Sequence, residues 1–251
     1  MAIYDAAVRA VYGCMASPVA ARVMERLVAV WERQTLRKLL SEIDIDCVVD
    51  VGGNEGQYAR LLRRLGFTGL ILSFEPHPEV FQTMKRRFAG DAGWRGYDCA
   101  LGRRDGELDF HIYALSQNSS CLPGSDLLAR PERTVKVPVK RLDALLPSIL
   151  PDWRTRRLFV KCDTQGFDVE VIAGAQEILP AVYGLQSEVA VTPLYQGMPR
   201  YLEALRFYES LGFVLIDLWL NNRTSGGEVL EYDCLMKRTT PVLGPSHAGV
   251  A

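Results

Sequence analysis

The sequence predicts a three-layer α/β domain whose central sheet is mostly parallel and ends in an antiparallel hairpin. From residue 47 to residue 212, short apolar segments alternate with helix-like segments. Such strand–helix alternation is typical of a parallel sheet covered on both faces. Two apolar segments, 213–220 and 229–237, then follow each other with only the turn-rich "NNRTSGGE" between them, and they predict the hairpin.

Three strands and two helices are predicted in the first part of the domain. Residues 47–52 ("CVVDVG") and 69–76 ("GLILSFEP") are continuous apolar segments of the kind found in buried parallel strands. A third strand is predicted at 96–102 ("GYDCALG"). Helical spacing of apolar residues indicates helices at 55–65 and 79–88.

The middle of the chain has a different pattern. Residues 106–114 and 133–140 alternate apolar and polar side chains, which predicts strands with one solvated face. Between them lies a polar connection, 115–132, that contains Gly and Pro. Connections of this length are usually functional or mobile, so we expect residues 103–140 to form a hairpin and loop insertion over the cleft.

Regular alternation resumes after this insertion. Strands are predicted at 157–163 and 183–190, and helices at 167–179 and 199–211. Together with the closing hairpin they complete one domain, which we place at residues 45–240.

Residues 1–44 form a predicted helical arm, and residues 241–251 a flexible tail. Val23, Leu27 and Trp31 recur at helical spacing, but charged residues interrupt the apolar stretch, so neither a signal peptide nor a membrane span is predicted. The arm is interpreted as a helix packed on the domain or on a partner subunit, which makes a homodimer through the N-terminal helices plausible. A membrane-surface helix is the alternative interpretation.

Composition narrows the class of protein. The hydrophobic fraction is 48%, the charged fraction 24% and the formal net charge −1, as in a soluble globular protein with no general attraction for nucleic acid. None of the six cysteines forms a C-x-x-C pair, and Cys47, Cys99 and Cys162 lie in apolar strand-like segments. Free thiols in a reducing compartment explain this pattern, so we expect a cytoplasmic protein.

The stretch "VVDVGGNEG" (48–56) turns sharply after the first strand. Gly52, Gly53 and Gly56 allow positive φ angles and a close approach of the backbone to a ligand. In open α/β sheets the ligand lies at the carboxyl ends of the strands, where this turn falls. A dinucleotide and a nucleoside such as S-adenosylmethionine are the two candidate ligands.

Glu75, at the end of the second strand, is placed to accept hydrogen bonds from both hydroxyls of a ribose, which either ligand carries. The pattern D-x-G-G-x-x-G departs from the dinucleotide fingerprint G-x-G-x-x-G. Asp50, before the turn, suits a sulfonium or an amino group better than a pyrophosphate. These features favour a methyltransferase. A nicotinamide-dependent oxidoreductase and a catalytically silent partner protein remain the alternatives.

Several motifs together resemble a known family. They are "VVDVGGNEGQY", "SFEP", "CALG", "NSS", "VKRLDAL", "FVKCDTQGFDVEVIAGA", "QSEV" and "LGFVLIDL". Their order and spacing over residues 45–238 resemble the FkbM-type S-adenosylmethionine-dependent methyltransferases. The family usually has alanine at Gly53 and often valine–glutamate at Thr164–Gln165. The resemblance implies a class I (Rossmann-like) methyltransferase fold and methyl transfer to an oxygen, commonly a hydroxyl of a sugar or secondary metabolite.

The resemblance also implies a set of cofactor-binding residues. Near the methionine half we expect Asp50, Gly52, Gly53, Asn54, Gly56 and Tyr58; near the ribose, Glu75 and Pro76; and near the adenine, Asp98, Cys99 and Ala100.

Candidate catalytic residues lie at or near the ends of later strands. An alcohol needs a base, or a metal that lowers its pKa, before it becomes a good nucleophile. Asp163 is a candidate base or acceptor-positioning group, and Asp163 with Glu188 is a candidate Mg²⁺ site through oxygen ligands. His111 is a further candidate base that would reach over the cleft. Helix capping by Asp163 and an ion pair at Glu188 are the structural alternatives.

Residues for the acceptor are expected mainly on the long polar connection. Hydroxyls and amides donate and accept hydrogen bonds with flexible geometry, as a sugar requires, although turn formation explains the same residues. The candidate acceptor-binding residues are Ser116, Asn118, Ser119, Ser120, Gln165 and Tyr195.

Overall fold

The computed structural model describes residues 18–239 and contains two sheets and a set of short helices. The N-terminal residues 1–17 of the predicted arm and the predicted tail 241–251 lie outside this range. The described helices are α1 (Pro18–Glu42), α2 (Gln57–Arg64), α3 (Pro78–Arg87), α4 (Leu142–Ile149), α5 (Asp168–Ala173) and α6 (Tyr201–Ser210).

Seven strands form the central sheet. They are β1 (Cys47–Val51), β2 (Leu70–Phe74), β3 (Trp94–Tyr97), β7 (Leu158–Cys162), β8 (Val182–Ala190), β9 (Phe213–Arg223) and β10 (Val229–Arg238). Their order is β3-β2-β1-β7-β8-β10-β9, with parallel pairing from β3 to β8 and antiparallel pairing at β10. This confirms the predicted class I arrangement, a mostly parallel sheet closed by an antiparallel hairpin.

The order of the strands creates a switch point between β1 and β7. From β1 the chain builds outward through β2 and β3, and it later returns to the other side of β1 as β7. Residues 50 and 161 are directly paired in this register. At such a switch point the loops leave the two strands in opposite directions, which opens a crevice at their carboxyl ends.

Alternate side chains of β1 enter two different environments. Val49 belongs to a buried cluster that includes Leu146 of α4, Ile172 of α5 and Tyr208 of α6. The neighbouring Asp50, although fully buried, lies on the opposite face. One face of the sheet is therefore an apolar core, whereas the other is apolar at Val48 and polar at Asp50, nearer the carboxyl end of the strand.

The second sheet has three strands, β4 (Ala100–Leu101), β5 (Gly106–Ile112) and β6 (Arg133–Lys140), in the order β4-β6-β5. β5 and β6 pair antiparallel, as the alternating pattern predicted. The prediction of one strand at 96–102 was wrong, because residues 94–97 pair with β2 in the central sheet and residues 100–101 pair with β6 in the small one.

Two helices also differ from the prediction. The helix predicted at 167–179 ends at Ala173, and a short 3₁₀ turn follows at Leu179–Ala181. The helix α4 was not predicted at all. Its Leu142 and Leu146 are fully buried in the apolar core, so tertiary packing stabilises a segment that contains an internal proline.

The residues described here divide into two compact units at Glu42. The first is α1, whose large apolar side chains include the exposed Val23, Leu27 and Trp31. Within residues 18–239, no helix combines the length and hydropathy that crossing a bilayer requires. The homodimer through these helices stays a prediction.

Candidate functional site

The glycine turn after β1 runs very close to the backbone at the end of β7. Gly52 has a φ of +76°, and a Cβ added there would overlap the backbone carbonyl oxygen of Asp163. Gly56, at the start of α2, has a φ of +84°, and a Cβ there would overlap the Phe88 ring. Asn54 between them is also left-handed, at φ 46°. Only residues that tolerate these angles allow the turn to run so close to the end of β7.

Glu75 lies at the end of β2 and is held against this turn. One carboxylate oxygen accepts a hydrogen bond from the backbone N–H of Asn54 at 2.7 Å, and the other from the backbone N–H of His77 at 2.8 Å. Burial raises the pKa of Glu75 to about 7. The carboxyl group is thus fixed in position and titrates near neutrality.

A first cavity, the glycine-loop cavity, lies at the switch point. Its lining residues are Val51, Gly52, Asn54, Phe74, Glu75, Pro76, Cys99, Ala100, Leu101, Phe110, Ser116, Gln117, Ser119, Cys121, Asp163, Thr164, Gln165 and Phe167. The apolar members provide walls for a flat ring, and the polar members lie at the glycine turn and at the ends of the strands. This combination suits a nucleoside ligand.

Six predicted cofactor-binding residues line this cavity, namely Gly52, Asn54, Glu75, Pro76, Cys99 and Ala100. The other five, Asp50, Gly53, Gly56, Tyr58 and Asp98, lie outside its lining. The hydroxyl of Tyr58 instead donates to the Gln186 side chain at 2.9 Å.

Asp50 lies below the turn in a buried ion-pair network that the sequence analysis missed. Its carboxylate accepts a hydrogen bond from the Ser73 hydroxyl at 3.0 Å and lies 3.8 Å from the ammonium group of Lys161. Lys161 also pairs with Asp163 at 3.0 Å and lies over the ring of Tyr58 at 5.2 Å. Although burial opposes its charge, the two neighbouring aspartates raise the pKa of Lys161 above its ordinary value, so it stays charged. A lysine inside a buried strand was the signal that could have identified it.

A second cavity, the acidic cavity, adjoins the first and has a volume of about 300 Å³. Its lining residues are Gln117, Asn118, Leu128, Asp163, Gln165, Glu188, Leu194, Tyr195, Asn221, Asn222 and Glu231. Gln117, Asp163 and Gln165 line both cavities. A molecule in the acidic cavity is therefore next to a molecule in the glycine-loop cavity.

Gln165 connects the acidic groups at this junction. Its side-chain nitrogen donates to Asp163 and to Glu188, at 3.0 Å in each case, and its oxygen accepts from the hydroxyl of Tyr195 at 2.9 Å. The residue has a φ of 53°, and its backbone carbonyl accepts a hydrogen bond from Ser120 at 2.7 Å. Because left-handed backbone is unfavourable for glutamine, these contacts hold a strained conformation at the junction.

Glu188 of β8 and Glu231 of β10 lie on the same face of the sheet. Glu231 pairs with Ala190, two residues beyond Glu188. Burial and the charge of Asp163 raise the pKa of Glu188 well above its ordinary value and that of Glu231 to about 7. Glu231 was not predicted as a site residue, because the sequence does not show that β10, rather than β9, pairs with β8.

The predicted acceptor-binding residues divide between the two cavities. Ser116 and Ser119 line the glycine-loop cavity, Asn118 and Tyr195 line the acidic cavity, and Gln165 lines both. Ser120 lines neither, since its buried hydroxyl donates to the backbone of Gln165.

His111 is not brought to either cavity. Its imidazole contacts the hydroxyl of Thr134 at 3.1 Å across β5 and β6. We therefore leave it out of the site proposed below. For the predicted Mg²⁺ site, residues 18–239 contain no group of three or more His, Cys, Asp or Glu arranged to hold a metal ion.

Two curated methyltransferases are similar in sequence to part of this chain. A protein called Methyltransferase 1 from Beauveria bassiana (strain ARSEF 2860) is 28% identical to this chain in a region that covers 53% of this chain and 60% of the relative's length. The 2-O-methyltransferase NoeI of Sinorhizobium fredii is 25% identical in a region that covers 60% of this chain and 65% of the relative's length. The chain thus spans about three fifths of the length of these curated relatives. The crystal structure of magnesium protoporphyrin IX methyltransferase from Synechocystis, with bound SAM, is 10% identical over 84% of this chain and 81% of that one, with a TM-score of 0.44.

The model of the methyltransferase FkbM domain matches residues 50–215, about two thirds of the chain. This range begins at Asp50, before the glycine turn, and includes Glu75, Asp163 and Glu188. The turn, Glu75 and the strand-end acids that line or support the two cavities thus all lie within one family domain, and the chain belongs to the FkbM methyltransferases.

Proposed function

We propose that this protein is an S-adenosylmethionine-dependent O-methyltransferase that acts on a hydroxyl group of a sugar, a glycan or glycolipid precursor, or a secondary metabolite. The observation that carries the proposal is the pair of adjoining cavities with Asp163 and Gln165 at their junction. One has the features of a nucleoside site. The other is lined mainly by polar side chains and is large enough for a small acceptor.

The residues of the glycine-loop cavity fit S-adenosylmethionine. Glu75 keeps free lone pairs on both oxygens for the two ribose hydroxyls, since each oxygen accepts only one backbone N–H. Cys99, Ala100 and Phe110 offer apolar contacts to an adenine. Gly52 and Asn54 would approach the methionine half. When bound, S-adenosylmethionine supplies a methyl group on a sulfonium, ready for in-line displacement.

The acidic cavity supports a hydroxyl-bearing acceptor. Carboxylates accept hydrogen bonds from hydroxyls, and the amides of Asn118, Asn221 and Asn222 both donate and accept. The name of the NoeI relative, a 2-O-methyltransferase, agrees with transfer to oxygen.

Asp163 is the residue we place at the reacting hydroxyl. It lines both cavities, and Lys161 and Gln165 hold its two oxygens at 3.0 Å each. Fixed in this way, the carboxylate orients the acceptor oxygen and accepts its proton as the new O–C bond forms. Glu188, tied to the same Gln165 nitrogen, positions the remainder of the acceptor.

The sequence also suggests a second way to activate the acceptor hydroxyl, by a Mg²⁺ ion that Asp163 and Glu188 would hold. In the structure the Gln165 amide nitrogen donates to both carboxylates. A nitrogen with two N–H donors stabilises paired carboxylates as a cation does, but it is not a metal ligand. Direct proton transfer to Asp163 is therefore our preferred mechanism, and rates measured with Mg²⁺ and with a chelator distinguish the two.

We expect Glu75→Gln to weaken binding of S-adenosylhomocysteine by about tenfold to a hundredfold, because the ribose loses charge-assisted hydrogen bonds. Calorimetric titration measures this, with Glu107→Gln, an exposed acid on β5, as the matched control. NAD⁺ is titrated in parallel. If NAD⁺ binds in place of the homocysteine nucleoside, or if neither binds, the proposed function is wrong.

The same binding is expected to depend on pH. The ribose hydroxyls donate to the ionised carboxylate, whereas the pKa of Glu75 in the free protein is raised to about 7. Protonation below pH 7 therefore competes with the ligand, and affinity should be about fivefold to tenfold weaker at pH 6 than at pH 8. Glu75→Gln should remove this dependence. An affinity that is flat with pH in the wild type contradicts the assignment.

We expect Asp163→Asn to lower kcat by about a hundredfold while affinity for S-adenosylhomocysteine changes less than threefold, as for loss of a general base. Transfer of a labelled methyl group to a panel of sugars and glycosides measures kcat. The control is Asp109→Asn, which changes an exposed acid on β5. Loss of nucleoside affinity in proportion to kcat would show that Asp163 acts on cofactor binding instead.

A further inference from the structure

The acidic cavity contains more carboxylate than its surroundings neutralise. Asp163, Glu188 and Glu231 all line it, and no Lys, Arg or His does. Asp163 has its ion pair with Lys161. Among the ion pairs within residues 18–239, none includes Glu188 or Glu231.

Both glutamates are deeply buried, but their carboxylate oxygens differ in the hydrogen-bond donors that they have. Glu188 accepts hydrogen bonds from the amides of Gln165 and Asn221. Glu231 is only 3% exposed, and its Oε1 atom has no hydrogen-bond partner. A buried carboxylate oxygen without a donor is unfavourable by the full desolvation free energy of that group, so it indicates a missing donor.

The electrostatics of the cavity also favour a bound hydrogen-bond donor that carries a positive charge. Asp233, also on β10, is directly opposite Glu188 in the backbone register, so it adds a fourth acid on the same face of the sheet. Burial and the surrounding acids raise the pKa of Glu231 and of Asp233 to about 7. In the free protein these groups therefore hold protons more readily than ordinary carboxyls, and a bound cation would displace those protons.

We propose that the acceptor carries a protonated amine, as an amino sugar or an aminocyclitol does, and that its ammonium group lies against Glu188 and Glu231 in the acidic cavity. This inference rests on the proposed function and adds the class of substrate.

An ammonium fits this cavity better than a metal ion does. It donates three hydrogen bonds and tolerates acceptors spread around it, whereas Mg²⁺ requires close, nearly octahedral oxygen ligands. The residues described here contain no cluster arranged for such a metal. Asn118, Asn221 and Asn222 also line the cavity, and their side-chain amides have further donors and acceptors for hydroxyls of the same molecule. An amine-bearing polyol uses both sets of residues.

The test compares amines with their neutral counterparts on the whole protein. The probes are 2-deoxystreptamine against myo-inositol, and glucosamine against glucose, each titrated calorimetrically into protein saturated with S-adenosylhomocysteine. We expect each amine to bind about tenfold or more tightly than its neutral partner, since hydrogen bonds to charged groups are the stronger ones. At pH 6.5, titrations in buffers of different ionisation heat should show release of protons when the amine binds.

Glu231→Gln supplies the matched variant, because it keeps the size of the side chain and removes the charge. It should reduce the preference for amines to less than about threefold and remove the proton release, whereas Asp109→Asn, an exposed acid on β5, should change neither. Equal affinity for both members of each pair, or no binding of either amine to protein that binds the nucleoside, overturns the proposal. Failure to bind the nucleoside counts against the proposed function instead, and amine selectivity is then measured on the protein alone.

Discussion

Replacement of Lys161 by methionine is expected to lower the free energy of unfolding by about 3–5 kcal/mol, the range observed when one partner of a buried ion pair is removed. Lys161 and Asp50 are both buried, 6% and 0% exposed, and Asp163 shares the same ammonium group. Methionine fills a similar volume but leaves the Asp50 carboxylate without its cation. Burial already raises the pKa of Asp50, and loss of Lys161 should raise it further.

Urea denaturation at pH 7 measures this effect. Lys136→Met is the matched control, because Lys136 pairs with Asp109 on the surface, where both side chains are more than half exposed and solvent weakens their attraction. The double variant Lys161→Met with Asp50→Asn should recover part of the loss, since it removes the uncompensated charge. A loss in Lys161→Met no larger than that in the control would show that the lysine is not the cation on which Asp50 depends.

The parts of this molecule that the sequence predicts well are those determined by neighbours in the chain. The buried strand 47–51, the glycine turn after it and the acid at residue 75 follow one another within 30 residues. Each has a local physical reason: continuous burial, positive φ, and the end of a strand. Gly52 and Glu75 both line the glycine-loop cavity.

The parts that were missed depend on contacts between distant segments. Glu231 reaches the acidic cavity only because β10 lies between β8 and β9, an order that no local pattern encodes. The hydroxyl of Tyr58 donates to Gln186, 128 residues away, a contact that no local pattern indicates. Lys161 looked like a strand residue of a family motif, and only the register of β7 on β1 shows that it is opposite Asp50.

The position of His111 also depends on contacts between distant segments. A histidine on an alternating strand near a presumed cleft has suitable chemistry for a base, but the direction of its side chain depends on sheet packing. The small sheet turns it toward Thr134, outside both cavities. The type of a residue shows which chemistry it can perform, but its role also depends on the strand register and packing that direct its side chain.

Gly52→Ala is expected to have the second large effect, because it combines backbone strain with an overlap. At φ +76° an alanine is strained by about 1–2 kcal/mol, and its Cβ would lie only 1.9 Å from the carbonyl oxygen of Asp163. Since that oxygen belongs to the backbone at the end of β7, the turn itself must move. We expect a total destabilisation of about 2–5 kcal/mol, the sum of strain and overpacking.

Gly66→Ala separates the two causes. Gly66 has a similar φ, +86°, but nothing lies within 4 Å of an added Cβ, so this variant should show the strain alone. Both variants are compared by urea denaturation and by titration with S-adenosylhomocysteine. Binding should be lost in Gly52→Ala, because a displaced turn moves Asn54 away from Glu75, and should be unchanged in Gly66→Ala. Equal stability and equal binding in the two variants would mean that the approach of Gly52 to Asp163 is not what shapes the cavity.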